Sequence, residues 1–265
     1  MIRRLLAAAL VGSLLTAQPA AAAMHSTLPG LLDHWLEVQE DPSQWAVAWL
    51  RYEAANSALL DQAFYGLYQP AEKQALLEAF MLEQVPELPS RMHQLGQFYQ
   101  GFAEDYEAVK DLLSRDFGKA PQIDVSLLAA AAPQTVTYSL VAGKPTLHFN
   151  ALKLMPYDQA RLRAQLARSL YPFLASPRPE PTAGKSVAAL LQREGLAALA
   201  AERAAGEAAL DVLLGVSAEE TARYEAAKAG FSRELLLALD SREAKQVERF
   251  FGPTPPAGWP PRPGR

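Results

Sequence analysis

The chain has 265 residues, half of them hydrophobic and 20% charged, with a formal net charge of -4 and no Cys. It is long enough to bury a sizeable core and too apolar to be disordered throughout. The absence of Cys excludes a disulfide scaffold, a Cys-ligated zinc site, a thiol nucleophile and a lipid-modified N-terminal Cys, and no long Lys/Arg block supports nucleic-acid binding.

Residues 1–23 read as an export signal. Arg3 and Arg4 form a basic start, Leu5 to Ala17 is mostly apolar, and Ala20 to Ala23 offers small residues for cleavage after Ala23. The apolar run is short for a membrane anchor, which needs roughly 20 residues. Arg3-Arg4 also raises twin-arginine export, but Ile2 precedes the pair and the apolar run follows at once, which favours the general secretory route. An exported protein, periplasmic or secreted, without stable membrane insertion after cleavage, is expected.

The first half of the remaining chain predicts helices. A short one spans Leu28 to Glu40. A longer one follows Asp41-Pro42 and carries Trp45, Trp49, Tyr52, Leu59, Ala63, Phe64 and Leu67 at helical spacings. A third covers about 71–84, after Gln69-Pro70. From Ser90 a long stripe runs through Met92, Leu95, Phe98, Phe102, Tyr106, Val109, Leu113 and Phe117, and Gly118 suits its end. The aromatic residues of these helices read as core. The period then changes. Ile123, Val125 and Leu127 alternate, Thr135 to Val141 is rich in β-branched residues, and Thr146 to Asn150 follows the turn Ala142-Gly143-Lys144-Pro145. Three short strands, the last two a hairpin, make a small sheet within about 121–150.

Helices return at Tyr157 to Tyr171, where Leu162, Leu166 and Leu170 share a face until Pro172 stops or kinks it. The Pro-rich stretch Ser176 to Thr182 is a loop. A long helix covers about Gly184 to Ala205, and shorter ones continue to Phe251. Gly252 to Arg265 holds six Pro and reads as an extended tail. The expected architecture is α+β and mostly helical. A signal at 1–23 precedes one domain at 24–251, with a helical part 24–118 and a sheet-and-site part 121–251. The tail is 252–265.

Several chemical motifs fail on inspection. Thr182-Ala-Gly-Lys-Ser ends like a phosphate loop, but Pro179 stands where its first Gly belongs. There is no G-x-S-x-G, no S-x-x-K and no H-E-x-x-H. The four histidines, His25, His34, His93 and His148, have no helical ligand spacing.

The order of helices, hairpin, helix, loop and second helix resembles the bacterial exported, predicted zinc-dependent proteases of the gluzincin class. The likeness rests on Leu162-Arg-Ala-Gln-Leu-Ala-Arg168-Ser169-Leu-Tyr171-Pro172 and on Glu194-Gly195-Leu196-Ala197. By that resemblance Arg168 and Pro172 stand in the places of the two His ligands, Ser169 in that of the general-base Glu, and Glu194 in that of the third ligand. A register one residue earlier supplies Ala167, Arg168 and Tyr171, which is no better. Zinc hydrolysis needs three ligands, an open position and a base for the bound water. The resemblance therefore implies a zincin-like pair of helices with a degenerate metal site, no catalytic residues, no cofactor, and an unidentified protein or peptide as partner. Were this reading wrong, the cofactor would be zinc. Two alternatives remain: an active hydrolase with unrecognised residues, and an unrelated helical interaction module. Glu194 lies within an apolar stripe with Leu190, Leu191, Ala197 and Ala198, so it is either turned to solvent or paired. Arg168 is its expected partner, in an ion pair that substitutes for the metal. Breaking a desolvated pair of this kind costs roughly 3–5 kcal/mol.

Overall fold

The protein is described from a computed structural model, which covers residues 24–176, 178, 184–214 and 217–251. The export signal and the Pro-rich tail of the sequence reading lie outside these residues. So does most of the loop from Ser176 to Thr182.

The chain starts with a short strand, β1 (Met24–Ser26), and a helix, α1 (Leu28–Val38), whose Leu28, Leu31 and Trp35 are buried. The expected long helix after Asp41 is divided. Pro42–Gln44 forms a 3-10 turn, capped by the Asp41 carboxylate, and α2 (Trp45–Ala55) follows. Asn56 interrupts it, with its side-chain amide donating 2.8 Å to the Tyr52 carbonyl. A side chain that competes for helix carbonyls favours a break at that point. α3 (Ser57–Ala63) and a 3-10 turn at Tyr65–Leu67 complete the stretch. α4 (Pro70–Glu83) has Pro in its first turn, and the Glu72 side chain accepts from the Gln69 amide. Pro86 sits in a 3-10 turn at Val85–Glu87, and α5 (Leu88–Phe117) then runs for 30 residues. Gly118 ends it at φ 75°, a left-handed position that glycine adopts without a Cβ penalty.

The strands β2 (Asp124–Leu128), β3 (Val136–Val141) and β4 (Lys144–Asn150) join β1 in a four-stranded mixed sheet of order β1-β2-β4-β3. β1 and β2 pair in parallel, as do β2 and β4, while β3 and β4 form the expected antiparallel hairpin. Its turn places Ala142 and Gly143 at φ 49° and 80°, the two positive values of a primed hairpin turn. The sheet thus has one strand more than the three read from the sequence. Met24–Ser26 is too short to show a period, and only its pairing with Val125, Ser126 and Leu127 makes it a strand. The helix α5 covers one face, with Phe102 and Phe149 rings 5.8 Å apart. Residues of α2 and α3 close the other, where Phe64 meets His148 edge-on at 6.5 Å.

After β4, Asn150 caps α6 (Ala151–Leu154). Asp158 caps α7 (Gln159–Leu170) by accepting from the Arg161 amide at 2.7 Å. Pro172 ends this helix as expected, tightening Tyr171–Phe173 into a 3-10 turn. α8 (Val187–Ala205) starts at the cap Ser186. α9 (Leu210–Leu214), α10 (Ala218–Ala238) and α11 (Ala244–Phe251) complete the described chain, and Ser217 with Glu220 forms a capping box at α10. The architecture is α+β and mostly helical. No helix among the described residues is long and apolar enough to cross a membrane.

Candidate functional site

The helices α7 and α8 share the most extensive helix contact among the described elements. Both faces follow from residue spacing. On α7 the buried residues are Leu162, Leu166 and Leu170 together with Ala164 and Ala167. On α8 they are Val187, Leu190, Ala197, Ala200 and Ala201. Glu194 lies on the same stripe as Val187, Leu190, Ala197 and Ala201, at steps of three and four. The small alanines let the two backbones come close. Leu191, placed on that stripe by the sequence reading, is instead 39% exposed.

Arg168 is half-buried on α7, one turn before Pro172. Its guanidinium donates to the Leu213 carbonyl of α9. Burial presses its pKa below the ordinary range, and the negative charge of Glu194 acts in the opposite direction. Glu194 accepts from the neighbouring Arg193 guanidinium at 3.0 Å and keeps 43% of its side chain exposed. It is therefore neither turned fully to solvent nor fully desolvated. Arg193 and the Leu213 carbonyl were missed by sequence reasoning. Arg193 carries no motif signal, and a backbone carbonyl from a later helix has none to carry. Ser169 is half-buried and accepts from Gln165 Nε2 at 3.0 Å, a contact within its own helix. Pro172 offers no donor or acceptor on its ring.

A zinc ion needs three or four N, O or S ligands of neutral or negative character. Arg168, Ser169, Pro172 and Glu194 supply one carboxylate, and the guanidinium beside it repels a dication. These residues do not fit the metal. The histidines do not gather to replace it: His25 is on β1, His34 on α1, His93 on α5 and His148 on β4. Among the described residues no cluster of three His, Asp or Glu has metal-binding geometry.

The sheet holds the chain's one histidine with both ring nitrogens engaged among the described hydrogen bonds. His148 is wholly buried between Ser126 Oγ, 2.5 Å from Nδ1, and Ser139 Oγ, 2.7 Å from Nε2. Burial lowers its pKa to about 4, so the ring is neutral at pH 7. A Ser–His contact can activate a nucleophile; Ser126 and His148 are buried out of reach of a substrate, while Ser139 is half-buried. This triad ties β2, β4 and β3 together. Beside it, Asn150 accepts from the Ala130 and Leu152 amides and donates to the carbonyls of Ala130, Ala132 and Gln134. Tyr52 holds Ala129 through both its amide and carbonyl, and Tyr65 accepts from the Ala131 amide. Most backbone groups of the buried run from Ala129 to Ala132 are thus held by side chains rather than by a strand.

Compared with models of protein families, with curated proteins and with solved structures, the chain shows no match.

Proposed function

We propose that this is an exported, non-catalytic binding protein on a zincin-like helix pair, in which a cation stands in place of the metal and the partner is a protein or peptide. The observation that carries the reading is Arg168. A half-buried guanidinium, under the charge of Glu194, occupies the position that the family resemblance assigns to the first ligand. Arg suits that place because it stays charged when partly buried and can hold carboxylate and carbonyl acceptors together. The order of hairpin, α7 and α8, and the packing of α7 on α8, support the resemblance. Ser169 bonded within its own helix supports the lack of a general base.

Elemental analysis and a peptidase assay test the proposal. Purified protein without residues 1–23 is expected to hold no stoichiometric zinc and to show no chelator-sensitive peptidase activity. One zinc per chain, removed by chelator with loss of activity, would overturn it. The N-terminus of the exported protein is expected near Met24. Recovery of intact Met1 in a membrane fraction would show an anchor instead.

A further inference from the structure

The helix α4 carries apolar residues on two sides. One side packs inward through Phe80, whose ring lies 4.5 Å from that of Trp49 on α2. The other presents Leu77, Met81 and Leu82, which with Leu50 of α2 wall an open groove of about 650 Å³. Leu50 and Leu82 are 51% and 79% exposed. Sites that take organic ligands have roughly 300–1,000 Å³ and mostly apolar walls.

The charge in this groove is unbalanced. Lys73 lines it, but its ammonium is bonded to the Asp61 carboxylate and stands 5.3 Å from the centre of the Tyr65 ring. Among the described residues Glu78 accepts from the neutral Gln74 amide, at 2.8 Å. Glu53 lines the groove beneath the leucines, and its Oε1 is buried without a hydrogen bond. Burial raises the Glu53 pKa, and the Tyr65 and Trp49 side chains and the Lys73 charge oppose the rise only in part. Two carboxylates, Glu53 and Glu78, therefore line an apolar wall whose one ammonium, Lys73, is already paired with Asp61.

We propose that this groove binds an amphipathic, basic peptide helix, with two or three aliphatic side chains on the leucine wall and one Lys or Arg beside Glu53 and Glu78. The spacing favours a helix over a compact ligand. Leu77 and Met81 are one turn apart, so their ridge matches residues at i and i+4 of a second helix. The groove face runs from Pro70 to Leu82, three turns or about 18 Å of α4. The charge complement selects the sign: a cation offsets the Glu53 and Glu78 carboxylates, and an acidic peptide adds a third negative charge. The site lies on α2 and α4, so it stands or falls independently of the degenerate metal site on α7 and α8.

The test is fluorescence anisotropy with the full protein lacking residues 1–23. The probe is a labelled synthetic helical peptide with Leu at i, i+4 and i+7 and Lys at i+3. Saturable binding is expected. The Glu53→Gln, Glu78→Gln double variant should weaken it by roughly tenfold or more, as expected for lost charge-assisted contacts. Leu82→Lys, at an exposed rim position that does not bear on folding, should weaken it by repulsion. The same peptide with Lys replaced by Glu should not compete. Equal binding of the acidic peptide, indifference to the Glu53 and Glu78 changes, or no binding of the basic peptide would overturn the proposal. Binding of dodecylamine in place of the peptide would also overturn it, by assigning the groove to a simple amphiphile.

Discussion

Around the sheet, Trp49, Tyr52, Phe64, Phe102 and Phe149 are each exposed by 1% or less. Between α8, α10 and α11, the buried set is Val187, Ala238 and Phe250, while Leu236 and Leu237 of α10 are 67% and 85% exposed. The helices around the sheet are also richer in aromatic residues than α8, α10 and α11. The sheet offers two faces, and α2, α3 and α5 each bury a stripe against one of them. Among the described residues the C-terminal helices meet α9 and the start of α8. There, the Val187 and Ala188 amides donate to the carbonyls of Ser241 and Leu239, so the turn between α10 and α11 satisfies donors that the start of α8 leaves open. Stability in this chain is thus concentrated at the sheet, and α10 and α11 are expected to open at lower free energy.

The largest expected effect contrasts the two cores directly. Phe102→Ala should cost about 3–5 kcal/mol in urea denaturation, because the cavity it leaves lies against Phe98 and Phe149 in a closed interior. Phe250→Ala should cost less than half as much, since its small cluster can collapse or meet water. Equal costs would contradict the contrast. Amide hydrogen exchange sharpens it: protection in α5 should follow global unfolding, and protection in α10 should be lost first.

Next comes pH. The His148 pKa lies at about 4 in the folded protein, below the ordinary value of 6.5. The unfolded chain therefore binds the proton more readily, and the stability tied to the neutral ring is complete above about 6.5. It is lost as pH falls from there to about 4, by about 3 kcal/mol across the interval. The His148→Gln variant should show a flatter stability profile between those values, whereas Phe250→Ala should leave the slope intact. An unchanged slope in His148→Gln would assign the acid sensitivity to other groups.

The smallest effects lie at the seam of the two regions, on α7 and α8. The cost anticipated for a desolvated ion pair does not apply, because 43% of the Glu194 side chain meets water and Arg193 bonds it as well. Glu194→Gln should cost about 1 kcal/mol or less, as for a partly exposed pair. Arg168→Met should cost more, since it also leaves the Leu213 carbonyl without that donor. The double variant should cost less than the two single changes added together. Strict additivity would show that the two residues act separately.

Much of the architecture was legible because it follows from local chemistry. The stripe Met92, Leu95, Phe102, Tyr106, Val109 and Leu113 has helical spacing whatever surrounds it, and Gly118 ends it for a backbone reason. The hairpin of β3 and β4 was likewise readable from β-branched runs on either side of Ala142-Gly143. The break at Asn56 was not, because the side chain's competition for the Tyr52 carbonyl was not weighed against the apolar stripe. Nor was the place of Glu53 under a leucine wall, which depends on which side chains meet between α2 and α4.

The sequence by itself determined that no H-E-x-x-H exists, that Arg168, Ser169 and Pro172 stand at the end of one helix, and that Glu194 sits on the apolar stripe of another. Those are statements of identity and spacing, and folding does not alter them. Only the tertiary structure decided that Met24–Ser26 becomes a strand, because a three-residue segment acquires its conformation from the partner amides and carbonyls of β2. It alone decided that His148 is enclosed by two serines from neighbouring strands, since Ser126 and Ser139 lie 22 and 9 residues away and converge only through sheet register. It also decided the depth of Glu194. Helical period places a residue on a face, but how far that face is covered depends on the neighbouring helix, and α7 leaves the carboxylate half in water.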